Sequence, residues 1–477
     1  MLRFRMHFQT LEATACGTER QCSVFRCIFC PLNGNAPFFE ACLRLVDVYL
    51  AVARVFFRRL GWVAMLRFIH SKIKLTHREY VLEPNANYVL VGLRRAGKTY
   101  LLYQYIQSLV SKGLSINSVL FVNFEDERIN DIRKEELHLI IEAYNELFDL
   151  TPVIFLDEVQ NIDGWEHFAR RLADEKRRVL ITGSNAHMLS REIASTLGGR
   201  FIVKEVFPFA FDEYLSHNNI ELDRNWQFGT QRATVIRSFD DYFYNGGISE
   251  AFDLSDKRSW LTSLYQKVLY SDVVIRHKLR NAKALNLLVK KLADSVLQPT
   301  PILRLQHILT SAGQKVTRET VSSFIDYLHD AYLIFSISNF SDTISERESL
   351  RKFYFYDNGL LNLFLFQPET KLLENLVAIT LYKRYGEHLF FYRRNIEVDF
   401  YVPDEDLAIQ VCYNLRDPQT REREINALLT LNNYKPLRRC IIVTRDEEEN
   451  VLSDGLTIDV VPIWKWLLCY LCANQIA

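Results

Sequence analysis

The stretch Tyr88 to Tyr100 reads YVLVGLRRAGKTY and decides the fold of the chain. Its apolar start predicts a short buried strand, and the residues after the glycines, TYLLYQYIQSLVSK, have the apolar spacing of a helix. Between them, GLRRAGKT fits the pattern G-x-x-x-x-G-K-[ST]. A glycine-rich turn from strand to helix points several backbone N–H groups and the positive helix end at one anion. The sequence therefore predicts a phosphate-binding loop in an α/β domain.

This loop predicts ATP and Mg²⁺ as cofactors. Lys98 is expected to reach the β and γ phosphates, and the Thr99 hydroxyl to ligate the metal ion. The residues predicted to bind the nucleotide are Gly92, Arg95, Ala96, Gly97, Lys98, Thr99 and Tyr100.

A second acidic motif completes the predicted site. TPVIFLDEVQ, residues 151–160, is an apolar strand that ends in Asp157 and Glu158, and Asp157 lies 58 positions after Thr99. An aspartate at a strand tip can hold Mg²⁺, and the next carboxylate can orient and deprotonate the attacking water. Acidic pairs after apolar runs are common, but one that follows a phosphate loop predicts an ATPase.

Two further polar residues are candidates for catalysis. SVLFVNFEDE (118–127) and RRVLITGSN (177–185) predict two more strands, and the second ends in Asn185. Asn185 could position water beside the γ-phosphate, or it could form an ordinary strand-end turn. Arg200 follows two glycines and could stabilise charge in the transition state, in its own chain or a neighbouring subunit; it could equally be a solvated loop residue.

Composition limits the classes of partner. The chain has 477 residues, which is enough for about three domains, and its 48% hydrophobic content is that of a globular protein. Lys and Arg together number 58, as do Asp and Glu, so bulk attraction to nucleic acid or to an anionic membrane is not expected. Local basic faces remain possible.

The first 64 residues differ in composition from the rest. Five of the nine cysteines fall within the first 42 residues, so the body is expected to be reduced and cytoplasmic. Cys27 and Cys30 have zinc-like spacing, but no matching histidine pair lies nearby. Charged residues interrupt the apolar stretch 42–65, which favours an amphipathic helix over a membrane span. Met65 is an alternative start of the native chain.

Several motifs occur together in a recognisable order. They are GLRRAGKT, FLDEVQNIDGWE, LITGSNAHMLS, LGGRF, VFPFAFDEYL and YFYNGGISEAF. With these motifs in this order, the chain resembles the prokaryotic AAA-type ATPases that carry a C-terminal domain of unknown function. The resemblance extends from about Tyr88 to about Leu429. The resemblance implies an AAA-type parallel-sheet core, a helical or winged-helix middle, and a C-terminal α/β domain similar to PD-(D/E)xK nucleases.

The middle of the chain predicts a helix-turn-helix. PILRLQHILTSAG and KVTRETVSSFIDYLHD are two helical segments around a glycine-containing turn, with Thr317 as the predicted N-cap of the second. In such a motif Arg318, Thr320 and Ser323 would face a DNA groove. The alternative is a lid on the ATPase or a protein-binding surface, which the few basic residues of the second helix favour.

The nuclease-like pattern implied by the resemblance is incomplete. A helix carries Glu374, a strand carries Glu397 and Asp399, and the next strand has Gln410-Val411-Cys412 where the pattern has Glu-x-Lys. Gln410 is a neutral ligand and Cys412 cannot replace an ammonium, so we expect the fold without efficient metal-dependent cleavage.

We therefore expect four parts: an N-terminal extension (1–64), an AAA-type ATPase domain (65–215), a helical and winged-helix-like region (216–345) and a nuclease-like domain (346–477). The first hypothesis is an ATP-driven switch that acts on an unknown protein or nucleic acid, not on a membrane, and that could be a homo-oligomer. The alternative is a DNA-binding protein, or a degenerate nuclease, regulated by ATP.

Overall fold

The computed structural model describes residues 75–127, 129, 132–184, 195–340 and 350–472. All of them belong to one compact unit, Val63–Ala477. The predictions made for residues 1–64, for Cys27 and Cys30, for Met65 and for Asn185 lie outside the described residues.

The first part of the chain forms a parallel sheet of short apolar strands. The strands are β1 (Asn87–Val91), β2 (Val119–Asn123), β3 (Val153–Asp157), β4 (Val179–Gly183) and β5 (Phe201–Glu205). The helices between and after them are α1 (Lys98–Ser111), α2 (His138–Leu147), α3 (Trp165–Asp174) and α4 (Phe211–His217). β4 is buried at every position and β1 and β3 at four of five, as expected for strands covered on both faces.

The order of this sheet is β2-β3-β4-β1-β5, and every neighbouring pair is parallel. β4 therefore lies between the strand of the phosphate loop and the strand of the acidic pair. Because parallel strands end at the same edge, the tips of β1, β3 and β4 meet there, which is where open α/β sheets bind ligands. The predicted α/β sheet with a phosphate loop is confirmed.

A helical region follows the first sheet. It contains α5 (Gln231–Asn245), α6 (Lys257–Lys267), a π-helical segment (Val268–Ile275), α7 (Ala282–Asp294), α8 (Ile302–Ser311) and α9 (Arg318–Asp330). Thr317 caps α9 as predicted, because its hydroxyl accepts a hydrogen bond from the backbone N–H of Thr320. The inner face of α9 is buried, whereas Arg318 is exposed.

The rest of the chain builds a mixed sheet of eight strands. They are β6 (Ile334–Asn339), β7 (Arg351–Phe355), β8 (Phe390–Arg393), β9 (Glu397–Val402), β10 (Leu407–Val411), β11 (Arg439–Thr444), β12 (Glu449–Ser453) and β13 (Leu456–Pro462). Its helices are α10 (Asn358–Asn362), α11 (Glu369–Tyr385), α12 (Pro418–Tyr434) and α13 (Ile463–Cys472). The order is β12-β13-β11-β10-β9-β8-β6-β7.

This sheet crosses the domain boundary expected at residue 345. β6 lies before that residue and β7 after it, and the two strands pair in antiparallel register. β6 also pairs with β8, so the hairpin is continuous with the C-terminal sheet. The C-terminal sheet therefore includes one strand from before residue 345. Among the described residues, no helix combines the length and apolarity needed to cross a bilayer.

Candidate functional site

The phosphate loop depends on two glycines. Gly92 has φ of 142°, and a Cβ at this position would lie 2.2 Å from the carbonyl oxygen of Val206. Gly97 has φ of 91° at the N-terminus of α1, where side-chain-bearing residues are strained. The loop therefore needs glycine for close backbone approach at its start and for a left-handed turn at its end.

Lys98 is folded back onto the loop. Its ammonium donates hydrogen bonds to the carbonyl oxygens of Gly92 and Leu93, at 3.0 and 2.9 Å, and the residue is only 3% exposed. Burial lowers the pKa of Lys98 below its ordinary value, although the carboxylates of Glu158 and Asp157 oppose this. Two neutral carbonyls are weak partners for a buried cation, so an anion at the loop would be a better one.

Thr99 and Asp157 join the loop to β3. The Thr99 hydroxyl lies 3.0 and 3.1 Å from the two carboxylate oxygens of Asp157, and Thr182 of β4 donates to the same carboxylate. Burial raises the pKa of Asp157 to about 6. A hydroxyl and one carboxylate fit Mg²⁺, which keeps several waters and takes its remaining ligands from phosphate.

Glu158 is held in a fixed orientation. Its backbone has φ of 53°, an uncommon conformation for a non-glycine residue, and its N–H donates to the Thr182 hydroxyl at 3.0 Å. Its carboxylate accepts hydrogen bonds from Ser184, at 3.1 Å to each oxygen, and from Gln160. Strained backbone is frequent at active sites, where the surrounding structure maintains it. The sequence predictions missed Thr182 and Gln160 as partners.

The two arginines of the loop contact the helical region. Arg94, which was not predicted, makes a bidentate ion pair with Asp272 of the π-helical segment, at 3.0 and 3.1 Å. Arg95, predicted to bind nucleotide, pairs with Glu250 and lies over the ring of Trp260. The sequence gave no signal for these contacts, because the partners lie more than 150 positions away.

Three other residues of the predicted site are Tyr100, Ala96 and Arg200. Tyr100 is half exposed at the first turn of α1. The carbonyl oxygen of the buried Ala96 accepts a hydrogen bond from Arg78, which is itself paired with Glu213. Arg200 pairs with Asp174 at the end of α3, away from the loop, so its role as a charge-stabilising arginine stays a prediction.

A second charged cluster lies in the C-terminal sheet. The ammonium of Lys352, on β7, lies 3.3 Å from Glu374, 3.1 Å from Glu397 and 3.0 Å from Asp399. Lys352 is fully buried, and its pKa is raised because the three carboxylates outweigh the effect of burial. Burial raises the pKa of Glu374 to about 7. The sequence analysis named all three carboxylates but missed the lysine.

The two other positions of the expected nuclease-like pattern, Gln410 and Cys412, lie in different surroundings. Gln410 contacts the charged cluster, because its amide oxygen accepts a hydrogen bond from the Asp399 N–H at 2.8 Å and its NH₂ donates to Glu424 at 2.7 Å. Cys412 belongs to the apolar core instead, and burial raises the pKa of its thiol to about 11. An ammonium is therefore present near the acids, but it comes from β7 and not from the position of Cys412.

The ion pairs of Lys352 affect whether the charged cluster of the C-terminal sheet can bind a metal ion. Its ammonium contacts all three carboxylates, two of which also accept hydrogen bonds, Glu374 from the Tyr354 hydroxyl and Asp399 from the Val411 N–H. Within the described ranges, no group of three or more His, Cys, Asp or Glu side chains is arranged to hold a metal ion. The Thr99–Asp157 site is of another kind, because phosphate and water complete its coordination.

Family models match two regions of the chain. One, described as an AAA domain, matches residues 84–215, which contain the phosphate loop and the acidic pair. The other, described as a domain of unknown function (DUF8612), matches residues 236–371. The second region spans residue 345, in agreement with the continuous β6–β7 hairpin. Neither match supports a likeness to nucleases.

Two curated proteins are similar over most of their length. MJ1544, an uncharacterized protein of Methanocaldococcus jannaschii, is 34% identical over 424 residues, covering 84% of this chain and 93% of the relative. An uncharacterized protein of Haemophilus influenzae is 26% identical over 392 residues, covering 80% of this chain and 94% of the relative.

Solved structures give weaker likenesses. The Walker-type ATPase PABY2304 of Pyrococcus abyssi has 13% identity and a TM-score of 0.39, covering 62% of this chain and 99% of its own. The Orc1 protein of Aeropyrum pernix, solved in complex with DNA, has 16% identity and a TM-score of 0.28, covering 66% of this chain and 93% of its own. These scores are too low to support an inference.

Proposed function

This chain belongs to the same family as the Methanocaldococcus jannaschii protein and carries an AAA-type ATPase domain, and from that premise we propose that it is a Mg²⁺-dependent ATPase working as a conformational switch. The observation that carries the proposal is the junction of Thr99 with Asp157, beside a Glu158 fixed by Ser184. It joins a phosphate loop, a metal-binding pair and a general base at one sheet edge.

Each residue has a distinct task in this proposal. Lys98 exchanges the carbonyls of Gly92 and Leu93 for phosphate oxygens, and gains a charged partner in doing so. Thr99 and Asp157 hold Mg²⁺, which neutralises charge on the phosphates when bound. Glu158 accepts the proton of the attacking water, and its hydrogen bonds to Ser184 and Gln160 limit how far the carboxylate can rotate.

The ion pairs of Arg94 and Arg95 support the switching part of the proposal. Both residues belong to the loop that would close around phosphate, and both contact the helical region. A change in the loop on nucleotide binding would therefore alter how the helical region packs. The partner on which this movement acts is a protein or a nucleic acid, and we place the reaction in the cytoplasm.

The exposed start of α9 leaves nucleic acid as a second candidate partner beside a protein. Arg318 is exposed there, and Thr320 is half-buried. A titration of duplex binding against salt concentration tests this candidate, because phosphate contacts give a steep salt dependence. Absence of binding to duplex and single strands at low salt would leave a protein partner.

Two variants test the ATPase itself. Lys98→Ala should weaken ATP binding by about 10- to 150-fold, the equivalent of a charged hydrogen bond of about 1.5–3 kcal/mol. Glu158→Gln should retain ATP and lower turnover by about 10²- to 10⁴-fold. Glu135→Gln, the same change at an exposed glutamate of the same domain, is the matched control. Turnover that is unchanged by both site variants would overturn the assignment.

A further inference from the structure

The chain that joins β5 to α4 touches both ends of the phosphate loop. In this junction segment, Val206–Ala210, the carbonyl oxygen of Val206 lies so close to Gly92 that a Cβ there would be 2.2 Å away. At the other end of the loop, the Arg78 guanidinium donates to the Ala96 carbonyl oxygen and to two carbonyl oxygens of the segment, at 2.9 and 3.5 Å. The segment is therefore packed against the start of the loop and tied to its end by a buried arginine.

The far side of the junction segment is held by α5 and the residues after it. The Phe209 N–H donates to the Gly247 carbonyl oxygen at 2.7 Å, and the Tyr242 hydroxyl donates to the Phe209 carbonyl oxygen at 2.9 Å. A Cβ at Gly247 would lie 2.1 Å from that same carbonyl oxygen. Backbone thus packs on backbone both at Gly92 and at Gly247, because glycine allows so close an approach. Neither contact contains a side chain that could adjust, so a shift at one end of the segment is passed to the other.

Asp357 fixes Gly247 to the C-terminal sheet. Its two carboxylate oxygens accept different hydrogen bonds: the Gly247 N–H donates to Oδ2 at 2.7 Å, and the Leu360 N–H donates to Oδ1 at 3.1 Å. Asp357 is the N-cap of α10, which follows β7, and it is 2% exposed. One buried carboxylate therefore caps a helix of the C-terminal sheet and holds the stretch of chain that contacts Phe209.

A second contact lies beside this one. The ring of Phe207 packs on that of Tyr356, with 5.5 Å between ring centroids. The Tyr356 hydroxyl also makes a hydrogen bond with the carboxylate of Glu205, the last residue of β5, whose pKa burial raises to about 7. The consecutive residues Tyr356 and Asp357 thus hold the junction segment from the side of the C-terminal sheet.

We propose that the junction segment couples the nucleotide site to the C-terminal sheet, so that phosphate binding at the loop and the packing of β7 and α10 regulate each other. The inference rests on the proposed function, in which Lys98 leaves the Gly92 carbonyl oxygen for phosphate. The resulting shift of Gly92 is passed through the segment to Gly247 and Asp357. Coupling between two sites is reciprocal in binding free energy, so a partner that shifts α10 changes the affinity for ATP by the same factor.

Asp357→Asn breaks this coupling while keeping the helix cap. Asparagine is as good an N-cap as aspartate, so its Oδ1 still accepts from the Leu360 N–H. Its NH₂ group takes the place of Oδ2 and cannot accept from the Gly247 N–H. Asp417→Asn is the matched control, because Asp417 caps α12 beside the same sheet through the Thr420 N–H and is exposed.

Two quantities are measured on the full chain, in which the parent and every variant carry Glu158→Gln so that ATP is not consumed. Calorimetry with Mg²⁺ should show ATP affinity about 5- to 50-fold lower in Asp357→Asn, because binding must then order a segment that Asp357 otherwise holds. Asp417→Asn should stay within about twofold of the parent. Hydrogen exchange at residues 353–362 should slow when ATP is added to the parent, and should not respond to ATP in Asp357→Asn.

A milder pair of variants decides the question if Asp357→Asn does not fold. Tyr242→Phe removes only the hydroxyl that donates to the Phe209 carbonyl oxygen, and it should lower ATP affinity by more than about threefold. Tyr144→Phe is its control, because this buried tyrosine likewise donates to a backbone carbonyl oxygen, that of Asn117, outside the junction segment.

The outcomes separate the inference from the function on which it rests. ATP affinity that is unchanged in the folded variant, or exchange at residues 353–362 that ignores ATP in the parent, would overturn the inference while leaving the ATPase assignment standing. A parent protein that does not bind ATP would overturn the proposed function together with the inference.

Discussion

Replacing Glu213 by alanine should destabilise the whole ATPase domain, because Glu213 is the counter-charge of a buried arginine beneath the phosphate loop. Arg78 is 2% exposed and Glu213 is 7% exposed. The pair is bidentate, with both N···O distances at 2.9 Å. The other donors of Arg78 bond the carbonyl oxygens of Ala96 and Phe207, at 2.8 and 2.9 Å, so one guanidinium joins the loop to α4.

The expected magnitude follows from this burial. Removing one partner of a buried ion pair leaves an uncompensated charge and costs about 3–5 kcal/mol. Arg78→Met combined with Glu213→Leu removes both charges, so we expect it to be more stable than Glu213→Ala, although three carbonyl oxygens then lose a donor. Glu221→Ala, at an exposed glutamate, should change the free energy of unfolding by less than about 0.5 kcal/mol.

The pH dependence gives a second check. Burial alone would raise the pKa of Glu213, but Lys383 and Arg78 hold it below its ordinary value of 4.5. The contribution of a carboxylate with a lowered pKa is fully present above its unfolded pKa and is lost only as pH falls through the folded one. Urea unfolding at pH 8 and pH 5 should therefore show the same difference between Glu213→Ala and the parent. A loss below about 1 kcal/mol, or one that shrinks between these two pH values, would refute the reasoning.

Two further predictions concern groups whose pKa is raised. Mg²⁺ needs the ionised form of Asp157, whose pKa is about 6, so metal affinity should fall about tenfold per pH unit below pH 6. Calorimetry should show this fall in addition to any fall measured for Asp157→Asn. Identical pH profiles for the two proteins would contradict the prediction. Lys352→Met should lower the free energy of unfolding by about 3–5 kcal/mol at pH 8, where three carboxylates lose their cation. The loss should shrink at pH 5.5, because Glu374, with a pKa of about 7, is then protonated in the parent also, and an equal loss at both pH values would count against this account.

The charged cluster around Lys352 illustrates what a local pattern leaves out. Cys412 stands where the pattern implied by the resemblance has a lysine. Lys352 comes from β7, which is separated from β10 in the sheet by β6, β8 and β9, yet its side chain reaches the acids of α11 and β9. A local pattern cannot reveal such a contact, because side chains from distant strands meet only after the sheet forms.

The boundary expected at residue 345 shows a similar limit. The sequence predicted a C-terminal domain that starts near FYFYDNGLLNLFL, a stretch that begins at Phe353. β6 and β7 instead pair with each other and, through β8, with the C-terminal strands. Composition records the type of each element but not the sheet that it joins, and backbone hydrogen bonding between strands is decided by tertiary packing.

The sequence by itself determined the phosphate loop, the acidic pair and the parallel sheet around them. These follow from local physics: the apolar runs specify buried strands, the glycines permit the close backbone turn at Gly92, and Lys98 and Thr99 begin the helix that follows. Only the tertiary structure decided that Arg94 pairs with Asp272 and that Lys352 lies among three carboxylates. Charge pairing of this kind depends on distances between side chains far apart in the chain, which no spacing along the sequence records.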